Sequence, residues 1–215
     1  MKTEKYFEEL EKQIKENYVV AEKARAVSLD PVDKVEVPLA HNLAEKVVGL
    51  VSTLYPQVQN KQIVDRILEL EKQYGALDVG VCLGIAEDVA KQKFCKFDDQ
   101  LQAIEAGIRI GFAYTTLGVV SSPIEGFTFL KIGKTAEGKE YFMPYFSGPI
   151  RSAGTTASCI VLIIIDYLRQ IFGYARYDPT ENEIKRSVAE IMDFHDRITN
   201  LQYCPTEEEA EFLAR

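Results

Sequence analysis

The residues best suited to chemistry lie together in "YFSGPIRSAGTTASCIVLIIIDYLR", Tyr145 to Arg169. Gly148-Pro149 and Gly154 permit backbone geometry closed to other residues, and Ser152, Thr155 and Thr156 place hydroxyls just ahead of an apolar run. The first turn of a helix leaves amide N–H groups unpaired and carries partial positive charge, so an anion settles there readily. A guanidinium such as that of Arg151 can grip such an anion through two parallel hydrogen bonds. Arg151, Ser152, Gly154, Thr155 and Thr156 are therefore candidates for binding a phosphate. A plainer assignment competes for the same residues: Ser152, Thr155 or Thr156 caps the helix, and Arg151 pairs with Asp166 or a neighbouring acid. The glycine order, with no Lys, is not that of a nucleotide-binding P-loop.

Other groups compete less well. Asp193 and Asp196 flank His195 in "DFHDR" at a spacing that could hold a divalent ion, but a solvated, ion-paired helix face has the same pattern. Glu87-Asp88 and Asp98-Asp99 are read as surface charge. Ser152 sits in S-A-G rather than in a G-x-S-x-G elbow, and neither His41 nor His195 stands beside a nucleophile. Cys82, Cys95, Cys159 and Cys204 contain no C-x-x-C pair and are read as reduced thiols of a cytoplasmic protein.

Composition narrows the function classes. Among 215 residues, 25 Lys and Arg face 33 Asp and Glu, and the net charge of −8 argues against a free-standing nucleic-acid clamp. The N-terminus is charged rather than bearing an apolar signal core, and the longest apolar run, Ala157 to Ile165, falls short of the ~20 residues that span a bilayer. Membrane partners are not expected.

The elements that must position the candidate residues follow from periodicity. Tyr6, Leu10, Ile14, Val20, Ala21, Ala24 and Val27 predict a helix over 2–27 with a break near Asn17. Pro31 disfavours helix at Asp30, and Pro38 closes a short extended piece. Further helices are predicted over 40–54, over 60–75 with Ile63, Ile67, Leu70 and Tyr74 on one stripe and Gly75 as its stop, over 77–93 and over 98–117. The period then changes to two. Phe127, Phe129 and Lys131 alternate with Thr128, Leu130 and Ile132, a turn follows at Ala136-Glu137-Gly138, and Tyr141 to Phe146 return. Gly154 to Phe172 reads as a helix buried on most of its surface, despite its β-branched content. Thr180 with Glu183 and Thr206 with Glu209 are capping boxes that open two more helices, the second running to Arg215 without a stop signal. The expected fold is α+β, predominantly α-helical, with a β-hairpin near residues 124–146. It divides into an N-terminal helical segment, 1–55, and an α+β module, 56–215, cut short at its C-terminal end.

Four segments then carry a resemblance. "GVVSSPIEGF" (118–127), "GKEYFMPYFSGPIRSAGTTAS" (138–158), "DYLRQIFGYARYDPTENEIKR" (166–186) and "LQYCPTEEEAEF" (201–212) resemble, in order and spacing, the N-terminal region of the large subunit of archaeal family D DNA polymerase, or DNA polymerase II. The stretch 21–51 looks like the start of the same subunit, and the likeness is weakest over 55–95. One departure is visible: the family reads G-P-I-R-S-A-G-G-T-A, whereas Thr155 stands here in place of its second glycine. The resemblance implies a replicative DNA-directed DNA polymerase, a nucleotidyltransferase acting on primer-template DNA with divalent magnesium, whose small subunit supplies 3′–5′ exonuclease activity. It implies that the catalytic aspartates lie downstream, so that no catalytic residue and no metal ligand is expected in this segment. The segment's role is then structural, or it contacts the other subunit or DNA, with Arg151, Ser152, Thr155 and Thr156 against a DNA phosphate or an incoming triphosphate. A stand-alone phosphate- or nucleotide-binding domain is the alternative.

Overall fold

Helix α5 (Gln100–Thr115) lies at the centre because its sequence is apolar on nearly every side: eleven consecutive or near-consecutive positions from Ala103 to Tyr114 are buried, Arg109 among them. The computed structural model describes residues 3–29, 40–152 and 154–215, with the side chains of Arg151, Ser152 and Thr155 outside that description. Around α5 pack α2 (Leu43–Val51), α4 (Val79–Ala90), α7 (Gly154–Ile171) and the first strand of a hairpin, while α3 (Lys61–Tyr74) closes over α2 and α4. Val47, Val51, Ile63, Ile67, Val81, Ile85, Ile104, Ile108, Phe112, Val161, Ile164 and Leu168 form one continuous core. Each such side chain contributes about 1.5–3 kcal/mol by leaving water.

Polar ends fix where these helices start. Asn42, Asn60, Asp78 and Asp99 each accept a backbone N–H within the first turn of α2, α3, α4 and α5. Asp99 is therefore a cap rather than mere surface charge. The Glu87-Asp88 pair is likewise corrected: Asp88 is 4% exposed and accepts from Arg66 Nε at 2.7 Å and from Lys93. Adjacent helical residues point about 100° apart, so one of the pair can face inward when cations from two directions reach it. Glu87 accepts from the Tyr167 hydroxyl, tying α4 to α7, and that bond, burial and the nearby carboxylate push the Tyr167 pKa up to about 12. Tyr114 donates to Glu71 Oε1 at 2.8 Å and accepts from Leu77 N at 2.9 Å, joining α5 to α3 and to the loop after it.

Helices α4 and α5 approach closely because glycines and alanines face each other. A Cβ on Gly107 would lie 2.4 Å from the Ala86 carbonyl oxygen and 3.1 Å from the Ala90 Cβ. The predicted stripe on α3 holds for Ile63, Ile67 and Leu70, whereas Tyr74 is half exposed.

Helix α1 (Thr3–Ala26) runs unbroken through Asn17 and has no buried residue. An exposed Asn costs a helix only about 0.7 kcal/mol or less, and ion pairs such as Lys15–Glu11 at 3.1 Å support the surrounding turns. The extended piece expected around Pro31 to Pro38 lies outside the described residues. At the other end, α8 (Glu181–Arg197) and α9 (Glu207–Ala214) both begin with the expected capping boxes and pack on each other, burying Ile184 and Ala210. No helix among the described residues is long and apolar enough to cross a membrane.

The hairpin consists of β1 (Phe127–Lys134) and β2 (Glu140–Phe146), paired antiparallel. It starts three residues later than position 124, because Ser121–Gly126 forms a π-helical turn. Its face assignment also differs from simple alternation. The register shifts between Phe127 and Phe129, so Thr128 is a bulge and Phe127 shares the inner face with Leu130. One inserted residue reverses the facing of everything before it. Phe129 and Lys131 consequently point outward.

Candidate functional site

The candidate phosphate residues sit where a four-residue helix, α6 (Pro149–Ser152), meets α7. Arg151 and Ser152 belong to α6 and Thr155 to the first turn of α7; their side chains lie outside the described residues. Gly154 is exposed and has φ +84, a left-handed conformation that a side chain would strain. Thr156 is exposed and lines a cleft of about 380 Å³ together with Thr115, Thr116, Ser121 and Ser122. The structure thus brings Thr156 to four further hydroxyls that the sequence did not connect with it. Ser158 Oγ lies 3.3 Å from Ile150 O and 3.2 Å from Gly154 O, linking α6 to α7.

Asp166 is engaged by Arg169 Nε at 2.8 Å and by Gln170 Nε2 at 2.8 Å, one turn along its own helix. Burial raises its pKa and these two bonds more than offset that, so the net direction is downward. Helical spacing explains the choice, since positions three and four apart are neighbours on the surface.

Behind the motif stands a residue that the sequence reading passed over. Arg109, 4% exposed, donates from Nη1 to the carbonyl oxygens of Pro123 (2.6 Å), Ile124 (3.1 Å) and Phe127 (2.7 Å), and from Nη2 to that of Thr128 (2.6 Å). Its guanidinium also lies 4.8 Å from the centroid of the Phe127 ring. A π-turn and a bulge both leave carbonyls without regular partners, and a planar fork of donors can satisfy several at once. One turn earlier, Glu105 accepts Leu130 N at 2.6 Å and the Tyr55 hydroxyl at 3.1 Å. Burial first, and the Glu105 carboxylate second, raise the Tyr55 pKa. The π-turn in turn supports the motif: Ser147 N donates to Gly126 O at 2.9 Å, and Ser147 Oγ donates to Glu125 O. The available signal was Arg109 itself, a lone cation inside "AGIRIGFAY".

The exposure of α7 also differs from expectation. Val161, Ile164, Ile165 and Leu168 are buried, but Leu162 and Ile163 are 50% and 52% exposed. With Cys159, also exposed, they form an apolar stripe at helical spacing immediately beyond Thr156. The helix contributes one face to this core rather than most of its surface.

Of the residues considered for a metal, Asp193 and His195 are engaged in local structure. Asp193 pairs with Arg197 at 3.4 Å, and His195 Nδ1 accepts Leu201 N at 3.2 Å. Among the described residues no three His, Cys, Asp or Glu side chains are placed to hold an ion.

Comparison with known proteins extends these observations. The family described as "DNA polymerase II large subunit DP2, N-terminal" matches residues 5–215. Proteins named DNA polymerase II large subunit are similar over nearly the whole chain: that of Nanoarchaeum equitans is 44% identical over 98% of this chain and 17% of its own length. Those of Methanococcoides burtonii and Pyrococcus abyssi are 38% and 36% identical over 97% and 99% of this chain, and over 17% and 14% of their own lengths. The chain therefore spans about a sixth of the length of the relatives it matches. With a match from residue 5 to residue 215, this chain belongs to the DNA polymerase II large subunit family and corresponds to its N-terminal region.

Proposed function

We propose that the chain is the N-terminal module of a replicative DNA-directed DNA polymerase and that it serves as a packing and positioning module rather than as the site of nucleotidyl transfer. Synthesis, with its divalent magnesium, is assigned to the remainder of the large subunit, and 3′–5′ exonuclease activity to a small partner subunit. Primer-template DNA is the substrate of the assembly. The observation that carries the packing role is the apolar stripe Cys159, Leu162 and Ile163 on α7. A contiguous exposed apolar stripe on a helix marks a surface for a partner, and the relatives are about six times longer than this chain. The remainder of the large subunit is the occupant that best accounts for it. In the assembled polymerase, Leu162→Glu with Ile163→Glu is expected to release the module from the rest of the enzyme and to lower primer extension at least tenfold, while leaving the helical circular dichroism of this chain unchanged. Normal assembly and normal extension would sink the packing role.

A second reading, direct phosphate contact, is favoured by the hydroxyl-lined cleft at Thr156 beside Gly154. Arg151 would supply the charge, with Ser152, Thr155 and Thr156 as hydrogen-bond donors. Arg151→Ala in the assembled polymerase is expected to reduce the salt slope of primer-template binding by about 1 if the contact is a DNA phosphate. If the contact is the incoming triphosphate, the nucleotide KM rises instead. Salt slope and KM both unchanged would remove this reading and leave the packing role alone.

A further inference from the structure

We infer that the outward face of the β1–β2 hairpin is a stacking surface for the bases of single-stranded DNA. This goes beyond the packing role and rests, for its choice of nucleic acid, on the proposal that the assembly acts on primer-template DNA.

Phe129 and Tyr145 are cross-strand partners whose rings stack with centroids 4.5 Å apart and planes 26° apart, and both stay exposed, at 36% and 39%. Lys131 holds its ammonium 5.4 Å from one ring centroid and 5.3 Å from the other. Farther along the same face Tyr141 lies over Gly133, where a Cβ would come within 2.6 Å of the ring, and it meets Tyr177 at 5.0 Å. Phe129, Lys131, Tyr145, Met143 and Tyr141 thus share one side of the ribbon. The fold does not need them there, because the opposite side already gives Phe127, Leu130 and Phe142 to the core.

Their chemistry selects the ligand. Flat aromatic faces accept any base by stacking, and a lysine among them supplies a point charge for the adjoining phosphate. On this face β1 supplies Lys131, which makes no ion pair among the described residues, whereas Lys134 falls on the alternate side, opposite Glu140. The acids of the hairpin lie at its far end, where Glu137 is paired with Lys139 at 2.6 Å. On a chain of net charge −8, this is a local site of the sign that DNA requires. The Thr128 bulge gives the arrangement its direction: without it, Phe127 and Phe129 would share a face, and the aromatic pair and the core residue could not both be served.

The test uses the assembled polymerase and a labelled thymidine oligonucleotide carrying 5-iododeoxyuridine, beside an abasic oligonucleotide of equal length. Irradiation is expected to cross-link Phe129 or Tyr145. Phe129→Leu with Tyr145→Leu, which keeps apolar bulk but removes the stacked rings, should abolish that cross-link and weaken thymidine-oligonucleotide binding by about 5- to 100-fold. Binding of the abasic strand should be unaffected, and Lys131→Ala should lower the salt slope by about 0.7. The double variant should assemble normally, which separates this outcome from failure of the α7 packing role. Three results would overturn the inference: unchanged affinity with cross-links elsewhere, equal loss for the abasic strand, or Tyr145 shielded from chemical labelling in the DNA-free enzyme. The last would show that polypeptide covers the face.

Discussion

Replacing Arg109 with Met is expected to lower the stability of the folded chain by about 3–5 kcal/mol, because it removes a buried guanidinium and its hydrogen bonds to four carbonyl oxygens at 2.6–3.1 Å. That is a large part of the ~5–15 kcal/mol available to a folded domain. Met matches the apolar stem of Arg as far as Nε, so the loss combines the missing hydrogen bonds with the space that the buried guanidinium vacates. Arg109→Lys should recover less than half of it, since an ammonium is a compact donor that cannot spread over carbonyls contributed by both a π-turn and a strand. Urea unfolding followed by circular dichroism gives the size of the effect, and a change below about 1 kcal/mol would refute the role given to this residue. Amide exchange supplies a separate readout: protection should fall first at Phe127 to Leu130, where the bulge loses its anchor.

The second large effect is expected at Gly107. Gly107→Val must force α4 and α5 apart, because the nearest atom to the new Cβ is the Ala86 carbonyl oxygen, at 2.4 Å, and it belongs to a helix backbone that cannot swing aside. Overpacking of this kind costs about 1–3 kcal/mol and sometimes more. Gly107→Ala should cost less, because the improved helix propensity of Ala returns about 1 kcal/mol. Gly49 is an internal control: it also lies within a helix, but a Cβ there meets nothing within 4 Å, so Gly49→Ala should be neutral or stabilising by up to about 1 kcal/mol. If the two alanine variants melt together, close packing of α4 on α5 does not determine stability at this contact.

Much of this fold can be read from local chemistry. The capping boxes at Thr180 and Thr206 are pairs of side chain and backbone within one turn, and they form as their spacing predicts. Helix α7 is helical despite "CIVLIII" because its length and its one buried stripe suit a helix better than a strand. What periodicity could not show is what crosses between elements. The face on which Phe129 lies depends on a bulge, and the bulge depends on an arginine 19 residues earlier in the chain. Asp88 is buried because Arg66 and Lys93 reach it from separate elements, and no pattern local to α4 encodes that. Exposure of Leu162 was illegible for another reason: an apolar residue reads the same whether its cover is this chain or another. Among the candidate phosphate residues, the sequence showed the hydroxyls of Ser152, Thr155 and Thr156, but the meeting of Thr156 with Thr115, Thr116, Ser121 and Ser122 requires α5 and the π-turn in place.

The arginine tie also bears on the order of folding. α4 and α5 are adjacent in sequence and meet through short-range contacts, which form quickly. The bulged register of the hairpin is different, since an isolated "FTFLKIGK" ribbon has no internal reason to insert Thr128 where it does. Arg109 and Glu105 impose that register, and they can do so only from an α5 that already exists. The hairpin, and with it the outward direction of Phe129 and Tyr145, is therefore expected to form late, after the helix that templates it, and substitutions at Thr128 should then change the unfolding rate more than the folding rate.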